Sequence, residues 1–223
     1  MKYDFIYLAS QSPRRQELLA QIGVRFKLLL PSRNENPESL EIPLAHEKAI
    51  DYVQRVTLAK SEAALDRWQA LQQNNPQFTW APILCADTTV SLPGSLDTEI
   101  LGKPTDAAHA TQMLHQLSGK SHDVYSAIAI TIDIHSPAIC LVQKSQVEFA
   151  VLDTATIESY VHSGEAFGKA GSYGIQGIAA SFIKTIQGSY SGIMGLPLYE
   201  TAKLLRQAHV HFGLNSYEPR DPN

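Results

Sequence analysis

Phe5-Ile6-Tyr7-Leu8-Ala9-Ser10-Gln11-Ser12-Pro13-Arg14-Arg15 is the stretch that decides the fold. Its first five residues are apolar, with aromatic and branched side chains, and predict a buried first strand. Ser12 then offers a helix cap. Pro13 suits the first helical turn, where a missing N–H costs nothing. Leu18, Leu19 and Ile22 continue as a helical stripe, and Gly23 supplies a stop. A strand that turns at once into a helix is the opening of an α/β unit.

Working outward, a second strand is expected from Phe26 to Leu30, and a polar loop from Ser32 to Glu41. A long helix follows, from near Pro43 through Val53, Val56 and Ala59 to about Leu71. Strand signals return at Ile83–Ala86 and Thr88–Val90, and Pro93 to Glu99 reads as a surface excursion. Thr105 is placed to cap a helix reaching Leu117. Val124–Ile134 and Ala138–Leu152 read as a hairpin turning at His135-Ser136-Pro137. A helix from Thr156 to His162, a glycine-rich segment from Gly164 to Gly177 and a last helix from Leu196 to His209 complete the pattern. Helices alternating with strands, plus an antiparallel pair, imply one α/β domain built on a mixed sheet. Residues 1–214 are expected to form it, with 215–223 as a frayed tail.

The bulk properties narrow the function. The chain has 223 residues, 44% of them hydrophobic, and a formal net charge of -4 with a pI near 6.0. An acidic balance argues against a protein that tracks long nucleic acid, yet leaves room for a small phosphorylated ligand held by a few local cations. Cys85 and Cys140 lie inside apolar runs and read as buried hydrophobes in a reducing compartment. No apolar stretch reaches membrane-spanning length and no signal core opens the chain, so a soluble, cytoplasmic protein without a membrane partner is expected.

Four features carry candidate chemistry. Ser10, Arg14 and Arg15 fall at a helix N-terminus, where free amides and the helix dipole favour an anion. Arginines there oppose the dipole unless an anion is bound, although two solvated surface arginines would look the same in sequence. Asp87 ends an apolar run, placed to hold a divalent cation or activate water, or simply to cap a turn. Lys60 on the long helix and Lys103 in Leu101-Gly102-Lys103-Pro104 offer point charges, or are ordinary surface lysines. In the glycine-rich segment, Gly171, Gly174 and Gly177 would let backbone approach a ligand, and Gln176 could read a base edge; a tight structural loop is the plainer account. That segment contains neither a P-loop nor a dinucleotide fingerprint. Glu35 in the first polar loop could face the same mouth. His122 and the His209-x-His211 pair lack a third ligand at metal spacing and read as core or surface histidines.

Taken in order, these segments resemble the Maf family of nucleotide pyrophosphatases. The likeness runs from Leu8-Ala9-Ser10-Gln11-Ser12-Pro13-Arg14-Arg15 through Tyr52-Val53-Gln54-Arg55 with Lys60, Ala86-Asp87-Thr88 and Leu101-Gly102-Lys103-Pro104-Thr105. It continues in Leu117-Ser118-Gly119 with His122, Lys169-Ala170-Gly171-Ser172-Tyr173-Gly174-Ile175-Gln176-Gly177 and Gly195-Leu196-Pro197-Leu198. The resemblance implies a Maf/ITPase-like α/β fold, its mixed and partly antiparallel sheet flanked by helices around a deep cleft. It implies hydrolysis of a nucleoside triphosphate to monophosphate and pyrophosphate, assisted by Mg²⁺ or Mn²⁺. Asp87 would be the general base and, with Glu35, a metal ligand; Ser10, Arg14, Arg15, Lys60 and Lys103 would hold the phosphates. Arg14, Thr88 and Ile175-Gln176-Gly177 are similar to the branch acting on dTTP and UTP, where the 7-methyl-GTP branch has Trp, Gln and Glu. A homodimer is also implied. So is a second role, since the family is associated with inhibition of septum formation and a non-enzymatic, nucleotide-binding regulator of cell division is the alternative. The chain departs from the family at Gly168-Lys169, usually Asp-Lys, at Ser32-Arg33-Asn34-Glu35, usually Asp-x-Asp-Glu in character, and in a longer Pro93–Thr98 segment.

Overall fold

Strand β1 (Ile6–Leu8) is buried throughout and sits between two parallel neighbours. Helix α1 (Pro13–Gln21) returns the chain to β2 (Phe26–Leu28), and α2 (Ala49–Asn74) carries it across to β3 (Ile83–Leu92). Such crossovers are what make β1 parallel to both β2 and β3. The rest of the sheet is antiparallel. β4 (Glu99–Leu101) pairs with the end of β3, and β5 (Ser121–Thr131) with its whole length. β6 (Ile139–Phe149) closes the hairpin with β5, and β7 (Ile183–Gln187) forms the edge. Helices α3 (Ala107–Leu117), α4 (Thr154–His162), α5 (Tyr190–Ile193) and α6 (Leu198–Gln207) complete the chain. This computed structural model describes residues 2–32, 35–92 and 99–213; Arg33, Asn34, the Pro93–Thr98 segment and the tail expected at 215–223 lie outside the described residues.

The mixed sheet explains why β3 lacks an alternating pattern. Nine of its ten residues are buried, because helices cover both faces. Ile83 and Cys85 pack with Ala64 and Trp68 of α2, whereas Leu84 and Ala86 meet Leu18 and Leu19 of α1 and Leu204 and Leu205 of α6. Beyond them Val90 joins a third cluster with Met113, Leu114 and Phe149. Among the described residues, no helix is long and apolar enough to cross a membrane.

Several boundaries differ from expectation, each for a local reason. The two strand signals flanking Asp87 are one continuous strand, since the buried carboxylate is satisfied by a side chain and not by a turn. α2 begins at Ala49, not near Pro43; residues 43–48 form a strap whose Glu47 is gripped by Arg55 at 2.6 and 2.8 Å. Asp106, not Thr105, caps α3, accepting from the His109 amide at 2.8 Å. Ser12 stands at the start of α1 but makes no side-chain cap. The short β4, the exposed β7 and the single turn α5 carry too little periodicity to be seen in sequence. Cys85 is buried as expected and burial lifts its thiol to about 12; Cys140 is only partly buried, its thiol raised to about 11.

His122 is a core residue. Its Nε2 lies 2.8 Å from the Tyr173 hydroxyl, its ring packs edge-on against Phe149, and burial lowers its pKa to about 4. The folded pKa is thus below the unfolded value of about 6.5, so the native state keeps a neutral imidazole. Stability from this group is full above about pH 6.5 and is lost as pH falls toward 4, because only the unfolded chain accepts the proton. Urea unfolding at pH 7 and pH 5 should show wild type losing about 2 kcal/mol more than His122→Gln over that interval. Equal losses in the two proteins would contradict a neutral buried His122.

Candidate active site

A mismatch in strand length opens the site. β1 pairs with β3 only at Ile83 and Leu84, and β4 pairs with it from Val90 to Leu92. Between them, Ala86 to Thr89 have no strand on that edge among the described residues. A cleft of about 580 Å³ fills the gap, bounded by the β1–α1 turn, α2 and the segments around Lys103, Lys169 and Gly195. Successive strand residues point to opposite faces. Asp87 therefore faces α2 and Thr88 faces away from it, yet the open edge lets both line the cleft.

Four charges form one network on the α2 side. Lys60 Nζ donates to Asp87 Oδ1 and to Glu41 Oε1, each at 2.7 Å, and Lys103 Nζ donates to Glu41 Oε2 at 2.7 Å. Asp87 is 7% exposed, so its charge is held by this pairing and not by water. For Glu41, burial raises the carboxyl pKa, but the two lysines outweigh burial and leave it below its ordinary value.

The β1–α1 turn is different. Ser10 Oγ accepts from Arg15 at 3.1 Å and from the Ser12 amide at 3.2 Å, while Arg15 Nε donates to the Gly195 carbonyl at 2.9 Å. Burial lowers the Arg15 pKa and the nearby Asp87 and Glu41 carboxylates raise it, the former prevailing; a guanidinium stays charged regardless. Arg14 has no hydrogen bond or ion pair among the described residues, and the charge it feels at Lys169 is of like sign. Lys169 donates to the Glu165 carbonyl; burial first, then Arg14, lowers its pKa. The α1 amides receive no side-chain cap. Glu165 pulls the other way at Lys169 but forms no ion pair with it. Arg14 and Lys169, neither in an ion pair among the described residues, thus share the cleft with free amides, a setting that favours an anion.

Thr88 Oγ1 lies 2.9 Å from Ser126 Oγ, which donates to the Gly192 carbonyl at 2.6 Å. Gly195, at φ 114°, brings its backbone between Thr88 and Arg15. The glycines at 171, 174 and 177 do not line the cleft. A Cβ on each would meet this chain's own Val90, Lys169 or Glu165 side chain, that on Gly177 overlapping the Glu165 carboxylate. Glu165 instead clamps that segment, accepting from the Ile178 and Ala179 amides and from Tyr160. Gln176 is exposed and does not line the cleft; its amide lies beside Gly174, over which Lys169 passes.

Glu35 lines the cleft but is engaged. Arg67 donates to both its oxygens, at 3.0 and 2.5 Å, the Ser32 amide adds a bond at 2.9 Å, and these hold its pKa down at about 2. Among the described residues no three His, Cys, Asp or Glu side chains converge as a metal site. Asp87 and Glu41 do converge as a pair on the Lys60 ammonium, and their hard oxygen donors would fit Mg²⁺ or Mn²⁺. His209 stays structural, its carbonyl accepting from the Lys2 and Tyr3 amides.

Of the expected residues, the cleft thus gathers Ser10, Arg14, Arg15, Glu35, Lys60, Asp87, Thr88 and Lys103, and leaves Gln176 outside its wall. It adds Glu41, Arg67, Lys169 and Tyr173. Arg67 had a readable signal, since it follows Lys60 by seven residues and so shares its helix face. Glu41 had none, because an acidic residue closing a polar loop is unremarkable. In all, six cationic and four acidic side chains line the cleft of a chain whose net charge is -4.

This geometry has relatives. The profile of the family described as Maf-like protein matches residues 5–208. A dTTP/UTP pyrophosphatase of Cupriavidus pinatubonensis is 52% identical over 94% of this chain and 100% of its own length. Proteins of the same name from Ralstonia nicotianae and Burkholderia pseudomallei are 55% and 51% identical, over 93% and 94% of this chain and 96% of their own lengths. The solved Staphylococcus aureus Ham1 protein is distantly similar, at a TM-score of 0.39 and 13% identity over 66% of this chain and 72% of that one. With a profile and relatives that span nearly its whole length, the chain belongs to the Maf-like family.

Proposed function

We propose that this protein hydrolyses nucleoside triphosphates to the monophosphate and pyrophosphate, and that pyrimidine nucleotides such as dTTP and UTP are its substrates. Relatives named dTTP/UTP pyrophosphatase, at 51–55% identity over almost the full chain, support the reaction. The observation that carries the reading in the molecule itself is a buried carboxylate, Asp87, set among six cations in an otherwise acidic protein.

The chemistry follows from that setting. A triphosphate concentrates negative charge, and more charge gathers on the leaving pyrophosphate as the bond breaks. Arg14, Lys169 and the uncapped α1 amides offer positive charge not committed to ion pairs to one end of the chain of phosphates, with Arg15 fixed beside them by Ser10 and Gly195. Lys60 and Lys103 serve the other. Asp87, its direction fixed by Lys60, accepts a proton from a water whose oxygen attacks the α-phosphorus. The bond from that phosphorus to the bridging oxygen breaks, and pyrophosphate takes the electron pair. Asp87 would hold a divalent cation, which would supply further charge neutralisation, and Glu35 would join it only after release from Arg67. Thr88 offers the base a hydroxyl from the cleft wall, and Gln176, beyond that wall at the flank of Lys169, offers an amide donor and acceptor to a base that extends past Lys169.

The test is pyrophosphate release by the purified protein with Mg²⁺ or Mn²⁺ across dTTP, UTP, CTP, GTP and 7-methyl-GTP. Preference for dTTP and UTP is expected. Cleavage of 7-methyl-GTP alone would keep the chemistry and reject the base assignment; binding without turnover would favour a regulatory protein. Asp87→Asn should fold and lose at least roughly 100-fold in turnover, the scale of general-base assistance. Turnover near wild type in that variant would remove Asp87 from the mechanism. Gln176→Glu exchanges a donor for an acceptor and should narrow the rate difference between pyrimidine and purine nucleotides. Unchanged relative rates would count against a base contact.

A further inference from the structure

Glu41 stands where the substrate's charge belongs. It closes the 3₁₀ turn Pro37–Glu41, and its backbone is pinned without help from its side chain. The Tyr52 hydroxyl donates to the Glu41 carbonyl at 2.8 Å, and Arg55 donates to the flanking Ile42 carbonyl at 3.0 Å. The carboxylate is therefore delivered into the cleft by a fixed strap. Once there, each of its oxygens takes one ammonium, Lys60 on one side and Lys103 on the other. Lys103 is otherwise exposed, and Glu41 is its one hydrogen-bond partner among the described residues. Two lysines and two carboxylates leave this half of the cleft formally neutral, whereas the Arg14–Lys169 half is not.

We propose that Glu41 is an internal counter-ion that occupies the lysine half of the phosphate site and must be displaced by a polyphosphate, so that it sets the minimum charge and length of an acceptable ligand. This inference rests on the phosphate-binding reading of Lys60 and Lys103. A triphosphate engages Arg14 and Lys169 at one end while it competes for the lysines at the other, so the first contact holds it while the second exchanges. A short phosphate brings less charge to that exchange. It must either compete with a tethered carboxylate at the lysines or accept the arginine end alone. The arrangement thereby disfavours inorganic phosphate and weakens retention of the pyrophosphate product.

The experiment is calorimetric binding of inorganic pyrophosphate, without divalent metal, to wild type, Glu41→Gln, Lys103→Met and the double variant. Glu41→Gln removes the competing charge at constant shape and should bind pyrophosphate at least about ten-fold more tightly. Lys103→Met should change affinity less than about three-fold in wild type, where the lysine is committed to Glu41, and at least about ten-fold once Gln stands at position 41. Equal or weaker binding by Glu41→Gln would overturn the proposal and make Glu41 a residue that positions the lysines for substrate. A ten-fold loss from Lys103→Met alone would overturn it independently, without relying on the folding of any Glu41 variant. Nucleotide turnover by the same wild-type preparation separates the two levels: absent turnover sinks the hydrolase reading, whereas turnover with an unaltered Glu41→Gln affinity sinks only the counter-ion.

Discussion

The unpaired edge of β3 between Leu84 and Val90 is the constraint on which the site depends. A ten-residue strand flanked by one three-residue strand at its start and another at its end leaves a gap that no strand among the described residues fills. Side chains from both faces of one strand then share a single cavity, which a complete sheet would forbid. Asp87 and Thr88, adjacent in sequence, thereby contact groups from opposite layers: Lys60 from α2, and Ser126 with the α5 backbone. The β1–α1 turn runs into the same gap because β1 stops where it does. The short first strand is thus as much a part of the site as the arginines that follow it.

Charge is distributed to match. The chain as a whole is acidic, while the cleft lining is cationic by two formal charges. Confining positive charge in this way gives affinity for a small polyanion without the broad basic face that would attract nucleic acid. Within the cleft the cations are of two kinds. Lys60, Lys103 and Arg67 are paired with carboxylates, whereas Arg14 and Lys169 have no ion pair among the described residues and repel each other. Paired cations are held in position but are electrostatically quenched, and unpaired ones are available at once. A ligand that spans both kinds gains from each, and one that reaches a single kind does not.

Much of this was legible in the sequence. The strand–turn–helix of residues 5–21 fixed the first α/β unit because its apolar run, proline and leucine stripe all favour one local structure. The ordered motifs placed Ser10, Arg14, Arg15, Lys60, Asp87, Thr88 and Lys103 on a common wall. What stayed hidden is what depends on distant packing. Glu41 becomes a site residue only because Tyr52 and Arg55 fold its strap against α2. Glu35 looked available to a metal because its partner Arg67 is 32 residues away. The glycines at 171, 174 and 177 looked like ligand contacts, yet the close approaches they permit are to Val90, Lys169 and Glu165. β4 and β7, of three and five residues, carry no period from which to read them.

The central claim is that water, directed by Asp87, attacks the α-phosphorus of a triphosphate whose outer phosphates are gripped by the cleft. Turnover in oxygen-18-labelled water, with mass analysis of both products after a single cycle, tests it most directly. The account predicts label in the nucleoside monophosphate and none in the pyrophosphate. Label in the pyrophosphate would mean attack at the β-phosphorus, and would contradict the placement of Asp87 and of the cations around it.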